Sequence, residues 1–254
     1  MSGKSLNNIL KGFKKAKASE RTIGELGPVL FQPLSENKNR PVYKVWRNLT
    51  KKGDAPLLKK LKIRYDITLI FPKKLGRELP KTFGHYHLRN RAGIGYPEVY
   101  EVLKGRGWWL LQKPENRNPK AIEKVYLVEA REREKVIIPP GFGHSLANPG
   151  DGELVAANWI GEFKYDYESY ENLRGAAYYL LESKDGKSVE LEKNSYYEKV
   201  PGLVKLRPKE IPALGILKSK PLYGLAKTPE KLEFLIKPKK YLNLLKIENC
   251  FKRI

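Results

Sequence analysis

The chain has 254 residues, 41% of them hydrophobic, which suits one domain with extensions and excludes a disordered polymer. Its 50 Lys and Arg against 28 Asp and Glu give a net charge of +22. That excess bears on partners and not on fold: nucleic acid, an anionic membrane and phosphorylated metabolites are the candidate classes, against a merely Lys-rich surface.

In chain order, residues 1–40 read as a basic N-terminal arm, acid-poor over about its first 20 residues. The apolar stretch Leu6 to Leu10 is broken by Asn7 and Asn8, too short for a secretory leader, and no run approaches membrane-spanning length. With Cys250 as the single cysteine, no internal disulfide is available, so the expected compartment is the cytoplasm, with no membrane contact.

From residue 41 to 182 short apolar runs alternate with Gly, Pro and Asn. They are Val42–Trp46, Tyr65–Ile70, Tyr100–Leu103, Trp108–Leu111, Val125–Val128, Val136–Ile138 and Leu154–Ile160. That cadence predicts strands of an all-β sandwich or barrel. Asn90–Pro97 and Lys113–Lys120 are expected as loops. Over 183–254, recurrent prolines from Pro201 to Pro238 forbid long regular elements and predict an extension wrapping the core. Leu244, Leu245, Ile247 and Phe251 are spaced as on a short helix over 241–251.

All three histidines fall in two short segments. His85 and His87 stand at i, i+2, which on a strand aims both imidazoles at one face. Eleven positions later, Glu98 follows a Gly/Pro loop that could return its carboxylate beside them. His144 closes Pro139-Pro140-Gly141-Phe142-Gly143-His144, a turn entering another strand. A lone His-x-His is weak evidence for a metal. Here His-x-His, Glu98 and Gly105, then Pro139-x-Gly141, His144 and Asn148, resemble both halves of the cupin motif. Three neutral imidazoles and one carboxylate suit one first-row divalent ion per chain: Fe(II), Mn, Ni or Zn. Open positions would remain for substrate oxygens.

More specifically, the chain resembles the cupin-type glucose-6-phosphate isomerases known mainly from archaea. The residues that carry the resemblance are Ile63–Thr68, Lys81–His87, Pro97–Tyr100, Pro139–Asn148, Gly175–Tyr179 and Asn194–Tyr197. The resemblance implies a small jelly-roll barrel with short peripheral helices and terminal extensions, a homodimer, and a sugar phosphate bound beside the metal. It implies metal ligands at His85, His87, Glu98 and His144, phosphate contacts at Thr68, Thr82 and Gly84, and a sugar contact at Tyr100. The loop between His87 and Glu98 is longer than the family pattern. Tyr165 stands where the family tends to have a histidine, and Trp159 where it has a tyrosine; both are counted as substrate contacts.

The implied reaction interconverts glucose 6-phosphate and fructose 6-phosphate, a step of glycolysis and gluconeogenesis. Glu98 is the candidate base if a proton moves between C2 and C1, and only a ligand if hydride shifts. Rival readings are another cupin enzyme, either a different phosphosugar isomerase or an iron dioxygenase, and a non-catalytic sugar- or nucleic-acid-binding cupin. No recognisable module interleaves basic and aromatic residues as RNA binding requires, so nucleic acid is not the expected partner.

Overall fold

The structure is a computed structural model that describes residues 5–14, 16–116 and 118–254. Residues 1–4 and 15 of the expected arm lie outside the described residues. The strands are β1 (Ser19–Thr22), β2 (Pro41–Trp46), β3 (Ile63–Ile70), β4 (Tyr86–His87) and β5 (Glu98–Lys104). Next come β6 (Arg106–Glu115), β7 (Asn118–Arg131), β8 (Lys135–Ile138), β9 (Gly143–Ala147) and β10 (Leu154–Gly161). The last are β11 (Tyr165–Asp166), β12 (Tyr178–Glu182), β13 (Val189–Lys193), β14 (Leu203–Pro208) and β15 (Phe251–Arg253).

One sheet has the order β1-β2-β3-β10-β5-β8 and the other β15-β14-β7-β6-β9. Their pairings are antiparallel except that of β14 with β7. A continuous apolar core draws on both sheets, with Ile67, Val102, Trp109 and Val128 among its fully buried members. This is an all-β, jelly-roll-like arrangement, with open rather than closed sheets.

Register decides what each face carries, because residues directly opposite share a face. In the six-stranded sheet Arg21 pairs with Tyr43, Val45 with Thr68, Thr68 with Ala156, and Asn158 with both Asp66 and Tyr100. These residues form its inner surface. The alternate residues Tyr65, Trp159 and Val99 face outward. There Phe13 and Tyr223 pack on Tyr65 with ring centroids 5.7 and 4.8 Å away. Glu101 accepts the Leu222 N–H at 2.7 Å and meets buried Lys135 at 3.0 Å, pinning the C-terminal segment to the back of the sheet. That double cover is why β10 is buried along its whole length.

Three local expectations are corrected. The loop expected over 113–120 is largely strand: β6 runs to Glu115, β7 begins at Asn118, and the two residues pair, while residue 117 lies outside the described residues. The terminal helix is a single turn, Ile247–Cys250, after which Phe251 enters β15 and pairs with β14. Edge pairing of the backbone wins over a weak helical periodicity. Strands also come from both terminal segments, β1 at one edge and β14 and β15 at another. Prolines over 212–241 do not leave the chain merely extended: Pro212, Pro229 and Pro238 each open a 3-10 turn.

Candidate metal centre and sugar site

His85, His87, Glu98 and His144 converge, with one candidate ligand atom from each lying within 4.8 Å of all the others. Four elements bring them together. His85 and His144 exchange backbone hydrogen bonds of 3.1 and 3.0 Å, which locks the two halves of the motif side by side. His87 ends β4, Glu98 opens β5, and β11 runs across the histidine strand by pairing Tyr165 with His87.

Glu98 Oε2 lies 3.3 Å from Nε2 of both His87 and His144, close enough for electrostatic contact. Neither contact is a hydrogen bond: Glu98 Oε2, His87 Nε2 and His85 Nε2 are all buried without a hydrogen-bond partner. Orphaned buried donor atoms are rare, and several facing one point are what an ion would satisfy. The opposite nitrogen of His87, Nδ1, lies 2.7 Å from the Tyr96 carbonyl, which suits a tautomer with Nε2 free to coordinate. Glu98 Oε1 accepts from Asn158 Nδ2 at 2.6 Å. The residues present fit a divalent metal.

Electrostatics agree with that donor set. Burial, with the neighbouring imidazoles, holds His85 well below its usual value. Burial also lowers His144, against an opposing pull from Glu98. Burial pushes the Glu98 carboxyl up, but the imidazoles of His144 and His87 facing it at 3.3 Å outweigh that and bring it down to about 2. Neutral imidazoles beside an ionised carboxylate are the protonation states a metal requires.

A small cavity opens beside the cluster, lined by Thr68, Thr82, Gly84, Tyr100, Tyr165 and Asn158 among others. Thr82 Oγ1 accepts the Leu146 N–H at 3.0 Å, which orients its hydroxyl. Gly84 has φ +86°, and a Cβ there would sit 2.4 Å from the Tyr170 ring, so only glycine lets the backbone approach so closely. The Tyr100 hydroxyl lies 3.3 Å from His144 Nε2. The Tyr165 ring stands 4.2 Å from that of His85, and its hydroxyl accepts from Arg64.

Trp159 does not join them. Its indole faces the outside of the sheet, donates to the Leu222 carbonyl at 2.9 Å and stacks on Tyr223 at 5.4 Å. Strand alternation explains the correction: Asn158, the neighbour, takes the inner face and holds Glu98. Residue patterning could have found Asn158, the lone polar residue in buried Leu154–Gly161. Arg64 and Asp66 carried a similar signal, charges at i, i+2 inside an apolar strand. They pair at 2.8 Å, and Asp66 also accepts the Asn48 N–H at 3.0 Å.

A family model described as "Glucose-6-phosphate isomerase (GPI)" matches residues 20–199. The chain is 30% identical over 119 residues to the glucose-6-phosphate isomerase of Thermococcus litoralis, covering 43% of this chain and 57% of that protein. It is 29% identical over 154 residues to that of Pyrococcus horikoshii, covering 59% and 71%. Among solved structures, recombinant oxalate oxidase in complex with glycolate is similar at 18% identity and a TM-score of 0.35, covering 49% of this chain and 51% of that one.

Proposed function

Because the chain belongs to the glucose-6-phosphate isomerase family, we propose that it interconverts glucose 6-phosphate and fructose 6-phosphate, using a divalent metal held by His85, His87, Glu98 and His144. The observation that carries this reading is the set of buried, unpartnered ligand atoms opening onto a polar cavity. Fe(II) is the first candidate for the ion, with Mn, Ni and Zn behind it. When bound, the ion would polarise a sugar oxygen as a Lewis acid.

The protein's own residues supply the rest. Thr68, Thr82 and the Gly84 backbone would hold the phosphate and leave C1 and C2 of the open-chain sugar toward the cluster. Tyr100 would hydrogen-bond a sugar hydroxyl. Arg64 fixes the Tyr165 phenol, which cannot exchange protons near neutrality because burial raises it far above its ordinary value. Tyr165 is therefore an orienting group in this scheme. Glu98 is the candidate base, and one observation favours the alternative: Oε1 is taken by Asn158 and Oε2 faces the histidines. So low a proton affinity, about 2, also suits a ligand better than a base. Product formed in heavy water separates the routes, since deuterium at carbon marks proton transfer and its absence marks hydride shift.

A homodimer in the cytoplasm completes the proposal. No described helix is long and apolar enough to cross a membrane. The test of function is a coupled assay for glucose 6-phosphate formed from fructose 6-phosphate. Turnover that chelator abolishes supports the reading, and absence of turnover with metal supplied refutes it.

A further inference from the structure

The cavity beside the cluster is lined by one formally cationic side chain, Arg47, together with Thr68, Thr82 and Tyr167. It follows β2 directly, at i+2 and i+4 from Val45 and Tyr43, which also line the cavity. Val45 pairs with Thr68, so Arg47 and Thr68 stand on neighbouring strands of the same inner surface. Among the described residues no carboxylate forms an ion pair with Arg47; its one side-chain hydrogen bond goes to the neutral Ser19 hydroxyl. The other carboxylate lining the cavity besides Glu98 is Asp66, already committed to Arg64 and the Asn48 N–H. A guanidinium offers five N–H donors in a fixed fork suited to phosphate.

A second arginine packs against residues that line the cavity. Arg21 is on β1 opposite Tyr43, with its guanidinium 5.8 Å from the Phe83 ring centre and 5.9 Å from that of Tyr167. Phe83 and Tyr167 both line the cavity. The charges of both arginines reach Tyr167, which burial raises and Arg47 and Arg21 pull back. Two cations therefore stand near this cavity: Arg47, which lines it without a carboxylate partner, and Arg21, outside its aromatic wall and shared with Glu25 at 3.5 Å.

We propose that Arg47, backed by Arg21, is the cationic arm that grips the substrate phosphate and makes this chain select phosphorylated over free hexose. The proposal rests on the isomerase reading for its substrate, and on the cavity alone for its anion. A dianion would meet a bidentate donor on one side and neutral hydroxyls on the other. The net charge of +22 would draw it in from solution.

The test uses the full metal-loaded chain with Arg47→Ala, Arg47→Lys and Arg21→Ala, with metal content and melting temperature checked first. Arg47 is exposed, so folding should survive its replacement. In Arg47→Ala the KM for fructose 6-phosphate should rise about 5- to 50-fold, the lower part of the range for a charge-assisted contact because solvent screens it. Its kcat should change little, and inhibition by inorganic phosphate should weaken in parallel. Arg47→Lys should fall between, keeping the charge and losing the fork, and Arg21→Ala should show a smaller rise. Unchanged KM and unchanged phosphate inhibition in Arg47→Ala, with wild-type turnover intact, would overturn the proposal and leave the isomerase reading standing. A wild-type chain without isomerase activity that still binds inorganic phosphate through Arg47 would do the reverse.

Discussion

Gly143 precedes His144 on β9, and a Cβ there would lie 2.5 Å from Cε1 of Tyr86, with Cδ1 and Cζ both at 2.7 Å. Ordinary carbon contacts lie near ~3.5–4.0 Å, so Gly143→Ala pushes an atom about 1 Å into the ring. Tyr86 is poorly free to yield. Its hydroxyl accepts from Gln112 at 2.6 Å, and its ring packs on Tyr170 at 5.3 Å. Tyr86 also sits between His85 and His87, so any retreat moves the ligand strand. Gly143→Ala should therefore destabilise the metal-free protein by about 1–3 kcal/mol, the usual cost of overpacking, and lower its metal content. In a Tyr86→Ala background the same substitution should cost less than ~0.5 kcal/mol, because nothing remains to strike. Urea unfolding of the wild type, both single variants and the double variant gives the coupling, expected at about 1–2 kcal/mol of mutual relief. Additive losses would show that the Tyr86 ring does not oppose Gly143 and that the packing behind the histidines is misassigned.

Asn158→Ala frees Glu98 Oε1 and should weaken metal affinity about 10- to 100-fold, measured by competition with a chromogenic chelator; unchanged affinity would deny Asn158 its supporting role. Trp159→Ala should cost about 3–5 kcal/mol of stability yet leave the KM for fructose 6-phosphate within twofold, about the scatter of the assay, since the indole faces away from the cavity. A large KM change with stability intact would restore Trp159 to the sugar site. In chelated protein the melting temperature should fall as pH drops from about 6.5 toward 5. His85 and His144 are held below 6.5 in the folded chain, so the unfolded chain takes up protons there that the native one refuses. Each group contributes at most about 1.4 kcal/mol per pH unit, and a flat profile would contradict that burial.

The convergence of His85, His87, Glu98 and His144 was legible because their spacing is a property of strands and turns: i, i+2 on a strand, a return loop, and a Gly-rich entry to the next strand. Strand positions from Val42 to Ile160 were legible for the same reason, since burial on both faces leaves continuous apolar runs. What escaped was long-range. The pairing of Phe251 with Pro208 and the parallel pairing of Leu203 with Val125 join segments far apart in the chain. Which side of β10 faces the His/Glu cluster hung on one residue of register, and counting from family pattern put Trp159 where Asn158 belongs. Arg47 sits one residue past a strand end, where sequence patterning gives no face at all.

The central claim is that one metal at His85, His87, Glu98 and His144 enables the isomerisation. Its most direct test strips the protein with chelator, adds Fe(II) anaerobically in steps, and follows fructose 6-phosphate turnover against bound metal. Activity should rise in proportion and saturate at one ion per chain, and His144→Ala should show neither binding at that stoichiometry nor turnover. Full activity in the stripped protein, or one tightly bound ion per chain in a His85→Ala, His144→Ala double variant, would contradict the account.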